Sequence, residues 1–326
     1  MADSNNKLGY VVGVDLGGTK ILAGLFDSVL GLRGTAKITT KPQRGPGAVL
    51  ERVARCVRDA VDEADLTMDQ LRAVGLGVPG TVEPALGQVI FAPNLGWREV
   101  ALKEPLEQLL GVPVWVENDC NVAVLGVQAA ELKNKPRSVL GVFIGTGIGG
   151  GFILNGELYS GAAHTAGEVG HMVLQMNGPK CGCGGRGCFE ALASRTAMVQ
   201  RIKTAVNGGE KTVLTEILPD LERLRSGDLR KAFLRGDKLT KTVVEDAAGY
   251  TGLALANLAN LLNPEAIVLG GGIIEALGEQ MLGIILQTMK EHTMPGAMTG
   301  VEVRVSTLGD HAAITGGAAL AMRLTQ

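Results

Sequence analysis

The chain has 326 residues, with 31 Lys and Arg against 33 Asp and Glu, for a formal net charge of -2. This length accommodates two domains with a core each, and the near-neutral balance argues against a surface that coats nucleic acid. Hydrophobic residues make up 46% and aromatics only 3%, so the core is expected to be Val, Leu, Ile and Ala, and no apolar run approaches the ~20 residues of a membrane span. The opening stretch, residues 1–7, is polar and lacks the apolar centre of a secretory leader. A cytoplasmic location without membrane or nucleic-acid partners is therefore expected.

Tyr10 to Asp15 is a short β-branched run and reads as a buried strand, followed by a turn over Leu16–Lys20 and a second strand over Ile21–Asp27. Thr35–Thr40 can pair as a third strand. Gly47–Ala64 has helical spacing, with Val49, Leu50, Val53, Val57 and Val61 on one face. Strands follow at Ala73–Val78 and Val114–Glu117, the latter leading through Asn118-Asp-Cys-Asn121 into a helix that runs to about Glu131. The opening pattern then returns: a strand over Ser138–Ile144, a turn over Gly145–Gly151, and a strand over Phe152–Leu154. Asn207–Lys241 is charged and reads as surface helices. A small-residue helix spans Val243–Leu262 and ends at Asn263-Pro264. Ala266–Leu269 reads as a strand that turns through Gly270-Gly271-Gly272 into a helix. A strand over Val301–Ser306 and a helix over Ala312–Leu324 close the pattern.

Two strand–glycine turn–strand units suggest two related lobes. Backbone N–H groups at such turns converge on anions because no side chain blocks the approach. Gly17, Gly18 and Thr19 in one turn, and Gly145, Thr146 and Gly147 in the other, are thus expected to hold the phosphates of a nucleotide. Asp15 would hold Mg²⁺, and Lys20 either touches phosphate or is solvated. Gly145–Gly150 and Gly75–Gly80 both fit a dinucleotide fingerprint, but that motif needs a helix after the turn, and neither match opens one. No phosphate-loop signature of the Gly-x-x-x-x-Gly-Lys-Ser/Thr type is present.

His171, Cys181, Cys183 and Cys188 supply a full tetrahedral set for zinc. Three of the five cysteines fall within eight positions, which favours a metal over disulfides. Four protein ligands leave no open position, so the zinc is expected to be structural. It would order the chain around Glu168 and Glu190. Cys56 and Cys120 read as free thiols. His164 reads as structural, and His292 and His311 as ordinary.

Together the segments Asp15–Lys20, Val78–Gly80, Pro93–Trp97, Glu117–Asn121, Gly145–Gly151 and His164–Glu190 resemble the ROK family of sugar kinases, and its bacterial glucokinase branch most of all. The likeness runs from about residue 10 to about 322 and is weakest around 200–240. It implies an actin-like, ribonuclease-H-like α/β fold of two lobes. The smaller would be residues 1–119, completed by the C-terminal helix 311–326, and the larger 120–310 with the zinc motif. It also implies ATP-dependent phosphorylation of a hexose, usually at the 6-hydroxyl. Asp119 would be the catalytic base, although an Asp at the start of a helix is also a natural N-cap. Asn94, Asn118, Asp119, Glu168, His171 and Glu190 would contact the sugar. Gly270, Gly271 and Gly272 would lie by the adenosine. A homodimer, or a homotetramer, is the assembly the resemblance suggests.

The acceptor is left open between glucose, N-acetylglucosamine, N-acetylmannosamine, allose, mannose and fructose. Polyphosphate as donor would favour a basic track, and no Lys or Arg run is evident. The family also contains sugar-responsive repressors with an N-terminal helix-turn-helix. The first glycine turn here begins at Asp15, leaving no room for one, so an enzyme is the expected class.

Overall fold

The structure, a computed structural model, describes residues 9–325; the polar opening read above for a leader lies outside the described residues. β1 (Tyr10–Leu16) and β2 (Lys20–Phe26) form the expected hairpin, paired antiparallel from Val11–Phe26 to Leu16–Ile21. β3 (Leu32–Thr39) extends it, and α1 (Pro46–Asp62) buries the predicted face of Val49, Leu50, Val53, Val57 and Val61. β4 (Leu71–Val78) runs parallel to β1, and β8 (Val114–Asn118) parallel to β4. Parallel strands are covered on both faces, which is why these read as unbroken apolar runs rather than alternating ones. Between β4 and β8 lie β5 (Thr81–Glu83), β6 (Gln88–Ala92), β7 (Trp97–Ala101) and α2 (Lys103–Leu110). The three strands form a small antiparallel sheet that the sequence did not announce, because each is short and two carry exposed apolar residues, Ile90 and Phe91 among them.

After α3 (Asp119–Ala130) the pattern starts again with β9 (Val139–Ile144), β10 (Ile148–Leu154) and β11 (Glu157–Leu158). Next come α4 (Phe189–Ala193), α5 (Arg195–Asn207), α6 (Leu214–Ile217), α7 (Ser226–Leu234) and α8 (Lys238–Leu262). β12 (Ala266–Gly270), α9 (Gly272–His292), β13 (Glu302–Val305) and α10 (His311–Leu324) complete the order. The two large sheets have the orders β3-β2-β1-β4-β8 and β11-β10-β9-β12-β13. Counted from its own first strand, each is 3-2-1-4-5. The repeat visible in sequence as two glycine turns is thus a repeat of a whole sheet.

Two expectations change. β10 begins at Ile148, so the turn read over Gly145–Gly151 shrinks to Gly145–Gly147. Gly150 and Gly151 serve close packing rather than turning. A Cβ on Gly150 would stand 3.0 Å from the Gly141 carbonyl oxygen, and one on Gly151 2.9 Å from that of Cys120. α8 begins at Lys238, five residues before Val243, because Asp237 caps it by accepting the Thr240 N–H at 2.8 Å.

The residues group into two compact units. One takes the described parts of Met1–Arg137 and Asp310–Gln326 together with Gly151–Ala166; the other takes Ser138–Gly150 and Gly167–Gly309. The division drawn at 119/120 in sequence falls inside the first unit, at the first turn of α3. Glycines explain this. A Cβ on Gly13 would stand 1.6 Å from the Ile314 carbonyl oxygen, one on Gly75 1.9 Å from that of Gly317, and one on Gly316 1.6 Å from that of Val122. α10 is therefore seated backbone to backbone against β1, β4 and α3. Among the described residues no helix is long and apolar enough to cross a membrane.

Candidate active site and metal centre

In the first unit, Asp15, next to last in β1, lies opposite Gly77, and Gly77 lies opposite Glu117 in the next pair. Gly77 has no side chain to hold Asp119 away: a Cβ there would stand 3.4 Å from the Asp119 Cα. Asp119 is the first residue of α3 but not its cap. Asn118 caps the helix, its Oδ1 accepting from Cys120 N at 2.9 Å and Asn121 N at 3.1 Å, while its Nδ2 donates to the Gly80 carbonyl at 3.0 Å. Burial raises the pKa of Asp119, against hydrogen bonds led by the Cys120 N–H. Burial, then the neighbouring Asp119 carboxylate, pushes Asp15 up to about 7, with Lys20 opposing.

Lys20 is not a solvated lysine. Its ammonium pairs with Asp310, which precedes α10, and the Lys37 Nζ lies 3.7 Å from the same carboxylate. The hydrogen bond from Lys20 holds Asp310 below the usual carboxylate range. The turn between β1 and β2 is closed by Gly17 N–H to the Lys20 carbonyl at 2.9 Å, and its apex carries Thr19, which is exposed. Asn94, exposed in the β6–β7 turn, approaches this loop: a Cβ on Gly18 would be 3.1 Å from its carbonyl oxygen.

Sequence reasoning missed what lies beneath Asn118 and Asp119. Glu117 is 6% exposed, and its Oε1 accepts from Asn118 N at 2.8 Å and Asn121 Nδ2 at 3.0 Å. Burial raises its pKa. His164 Nε2 pairs with Glu83 at 3.2 Å. Cys56 is buried, which pushes its thiol up to about 11 and leaves it an inert core group.

In the second unit, the turn joining β9 to β10 is closed by Gly145 N–H to the Gly147 carbonyl at 2.9 Å. Two residues passed over in sequence fasten it. Arg195 Nη2 donates to Thr146 Oγ1 at 2.5 Å, and Thr196 Oγ1 donates to the Thr146 carbonyl at 2.7 Å. Only the Ser194 cap preceding them carried a sequence signal for a helix start. Glu190 Oε2 accepts the Ile148 N–H at 2.8 Å. Gly270, Gly271 and Gly272 join β12 to α9, and Gly271, with φ 86°, occupies a backbone conformation that favours glycine.

The four expected zinc ligands come together. Their donor atoms all lie within 4.8 Å of one another, with His171 Nδ1 3.7 Å from Cys181 Sγ and Cys183 Sγ 3.7 Å from Cys188 Sγ. A tetrahedron with Zn–S bonds of ~2.3 Å has edges of about 3.8 Å, which the two 3.7 Å pairs match, so the donor set is compatible with zinc. The other imidazole nitrogen, Nε2, faces Glu168 at 3.8 Å, where a carboxylate can orient a ligating ring. Cys188 is also the N-cap residue of α4, which carries Glu190 in its first turn.

A pair of 3-2-1-4-5 sheets, a glycine turn after the first strand of each, and a Cys3His cluster define the two-lobed α/β fold of the ROK sugar kinases. The chain belongs to the ROK family, whose model it matches over residues 11–324. It is 34% identical to the glucokinase of Halalkalibacterium halodurans over 312 residues, covering 94% of this chain and 93% of that one. It is 30% identical to the xylose repressor of Bacillus spizizenii over 315 residues, 96% of this chain and 77% of the repressor. Among solved structures, a ROK family glucokinase from Streptomyces griseus, in complex with glucose and AMPPNP, superposes with a TM-score of 0.85 at 32% identity, covering 97% of this chain and 100% of that one.

Proposed function

We propose that this protein is an ATP-dependent hexose kinase that converts glucose to glucose 6-phosphate. The observation that carries the reading is the state of Asp119. Asn118 does the helix capping, so the Asp119 carboxylate, which accepts the Cys120 N–H at 2.8 Å, is not committed to that role and can accept a proton, and burial raises its pKa, making it a stronger base than an exposed aspartate. The sugar 6-hydroxyl gives its proton to Asp119 as its oxygen bonds to the γ-phosphorus, and the bond from that phosphorus to the β-phosphate oxygen breaks to release ADP. Asn94, Asn118, Glu168, His171 and Glu190 bind the sugar hydroxyls. Gly17, Gly18, Thr19 and Lys20, with Gly145, Thr146 and Gly147, bind the phosphates, and Gly270–Gly272 the adenosine. Asp15 holds Mg²⁺, which neutralises phosphate charge when bound. The zinc held by His171, Cys181, Cys183 and Cys188 is structural. The glucokinases of about one-third identity support glucose as acceptor. The resemblance likewise supports a homodimer working in the cytoplasm.

The test is ADP release with MgATP and a panel of glucose, mannose, fructose, allose, N-acetylglucosamine and N-acetylmannosamine, with polyphosphate as a second donor. Turnover confined mainly to glucose is expected. Preference for an acetylated sugar would replace the acceptor but keep the chemistry. Sugar binding without turnover on any member or donor would overturn the kinase reading in favour of a sugar-responsive regulator such as the repressor relatives.

A further inference from the structure

We infer that Arg195 is a phosphate-binding residue of the second glycine turn, contacting the terminal phosphates of the nucleotide and raising selectivity for a triphosphate over a nucleoside. This rests on the kinase reading above and adds to it a cation in the second unit, where the glycine turn itself carries no charge.

The start of α5 is tied to the turn at three points, one of them through the guanidinium. Arg195 N–H donates to the Gly145 carbonyl at 3.0 Å, Thr196 Oγ1 donates to the Thr146 carbonyl at 2.7 Å, and Arg195 Nη2 donates to Thr146 Oγ1 at 2.5 Å. Arg195 is also the first residue of the 13-residue α5, fixed there by the Ser194 side chain accepting Ala197 N–H at 3.1 Å. With its backbone fixed at the helix start and its guanidinium bonded to Thr146, the side chain is already directed at the turn before a ligand binds.

Its charge is not spent. Among the described residues no carboxylate forms an ion pair with Arg195. Its side-chain bond is to a neutral hydroxyl, which uses one of five guanidinium donors. Arg201, six residues further along α5, does have a carboxylate partner, Asp246 at 2.6 Å. The approach is open as well: a Cβ on Gly145 would meet nothing within 4 Å. A planar fork beside a threonine hydroxyl and a bare glycine matches a phosphate oxygen pair, which takes two parallel N–H bonds from one arginine. The Thr146 hydroxyl is then left held in place with its own hydrogen free to point at the same anion.

The test is titration calorimetry of wild type, Arg195→Ala and Arg195→Lys with a non-hydrolysable MgATP analogue, with adenosine, and with glucose. Arg195→Ala is expected to weaken the analogue by on the order of 10- to 100-fold while adenosine and glucose affinities stay unchanged. Arg195→Lys keeps the charge without the fork and is expected to fall between. A purely structural tie between α5 and the turn would instead weaken adenosine and analogue alike, and lysine would not restore the difference. Equal analogue affinity in wild type and Arg195→Ala would overturn the inference. If Arg195→Ala does not fold, equal affinity in Arg195→Lys would overturn it. A wild type that binds no analogue and phosphorylates no sugar overturns the kinase reading and this inference with it, so the two failures are told apart by the wild-type arm.

Discussion

Glu190 and Gly147 fix each other. Glu190 Oε2 accepts the Ile148 N–H at 2.8 Å, and a Cβ on Gly147 would stand 2.3 Å from that same oxygen. Glu190 lies two residues after the cysteine that caps α4, so the cysteine cluster and the glycine turn are braced by one carboxylate. Gly147→Ala must push that carboxylate away. Glucose and nucleotide affinities are expected to fall together, each by about tenfold or more, the cost of a displaced charged hydrogen bond. Calorimetry that finds both affinities intact would refute the bracing.

Asp119→Asn keeps the shape of the first turn of α3 and removes the proton acceptor. Turnover is expected to drop by roughly 10²- to 10⁴-fold with sugar affinity little changed. Near-normal kcat in this variant would rule out Asp119 as the base.

Asp15 gives a pH signature. Its pKa stands at about 7 in the fold against 3.8 ordinarily. Between those values the folded chain holds a proton that the unfolded chain has lost, so stability falls as pH rises through the window and stays reduced above it. Asp15→Asn removes this penalty. In Mg²⁺-free buffer the variant is expected to melt with the wild type near pH ~4 and above it near pH ~8. A melting gap that does not widen with pH contradicts the assignment. Lys20, Asp310 and Asp119 set the same local field, so Lys20→Met is expected to move the wild-type window upward.

Zinc is predicted to act through order, not chemistry. Cys181→Ser or Cys183→Ser should lose the metal, by elemental analysis, together with sugar affinity, because the chain carrying His171 and Glu190 is then no longer pinned. Purified wild type that contains no zinc would dispose of this account.

The seat of α10 is a packing prediction. A Cβ on Gly316 would sit 1.6 Å from the Val122 carbonyl oxygen, and backbone cannot yield as a side-chain tip can. Gly316→Ala is expected to cost roughly 3 kcal/mol in urea unfolding, at the upper end for overpacking. Gly283→Ala, on α9 with nothing near its Cβ position, is expected to be neutral or slightly stabilising.

Periodicity made most of the fold legible. The hairpin of β1 and β2, the buried face of α1, and the entry into α3 follow from residue spacing, and two glycine turns after apolar strands announced the repeated sheet. The cysteine cluster was equally plain because its ligands lie close in sequence. What stayed hidden depends on long-range neighbours. Arg195 is one more charged residue in a helix until α5 is laid beside Gly145. Asp310 has no meaning without Lys20, 290 positions earlier. Glu117 reads as a strand-end carboxylate, yet it is buried under the residues that matter. Glycine number 150 looks like turn and is packing, since spacing alone does not say what a missing side chain makes room for.

The seating of α10 also orders events during synthesis. β1 and β4 leave the ribosome long before the helix that covers their glycines, and no local stretch substitutes for it. The second unit is drawn from the interior of the chain and closes on itself, so it is complete while the first still exposes bare backbone and apolar strand. The first unit can finish only once residues beyond Asp310 arrive, which makes its closure a late, non-local step. A nascent chain stalled before that point carries one finished half and one half open to aggregation.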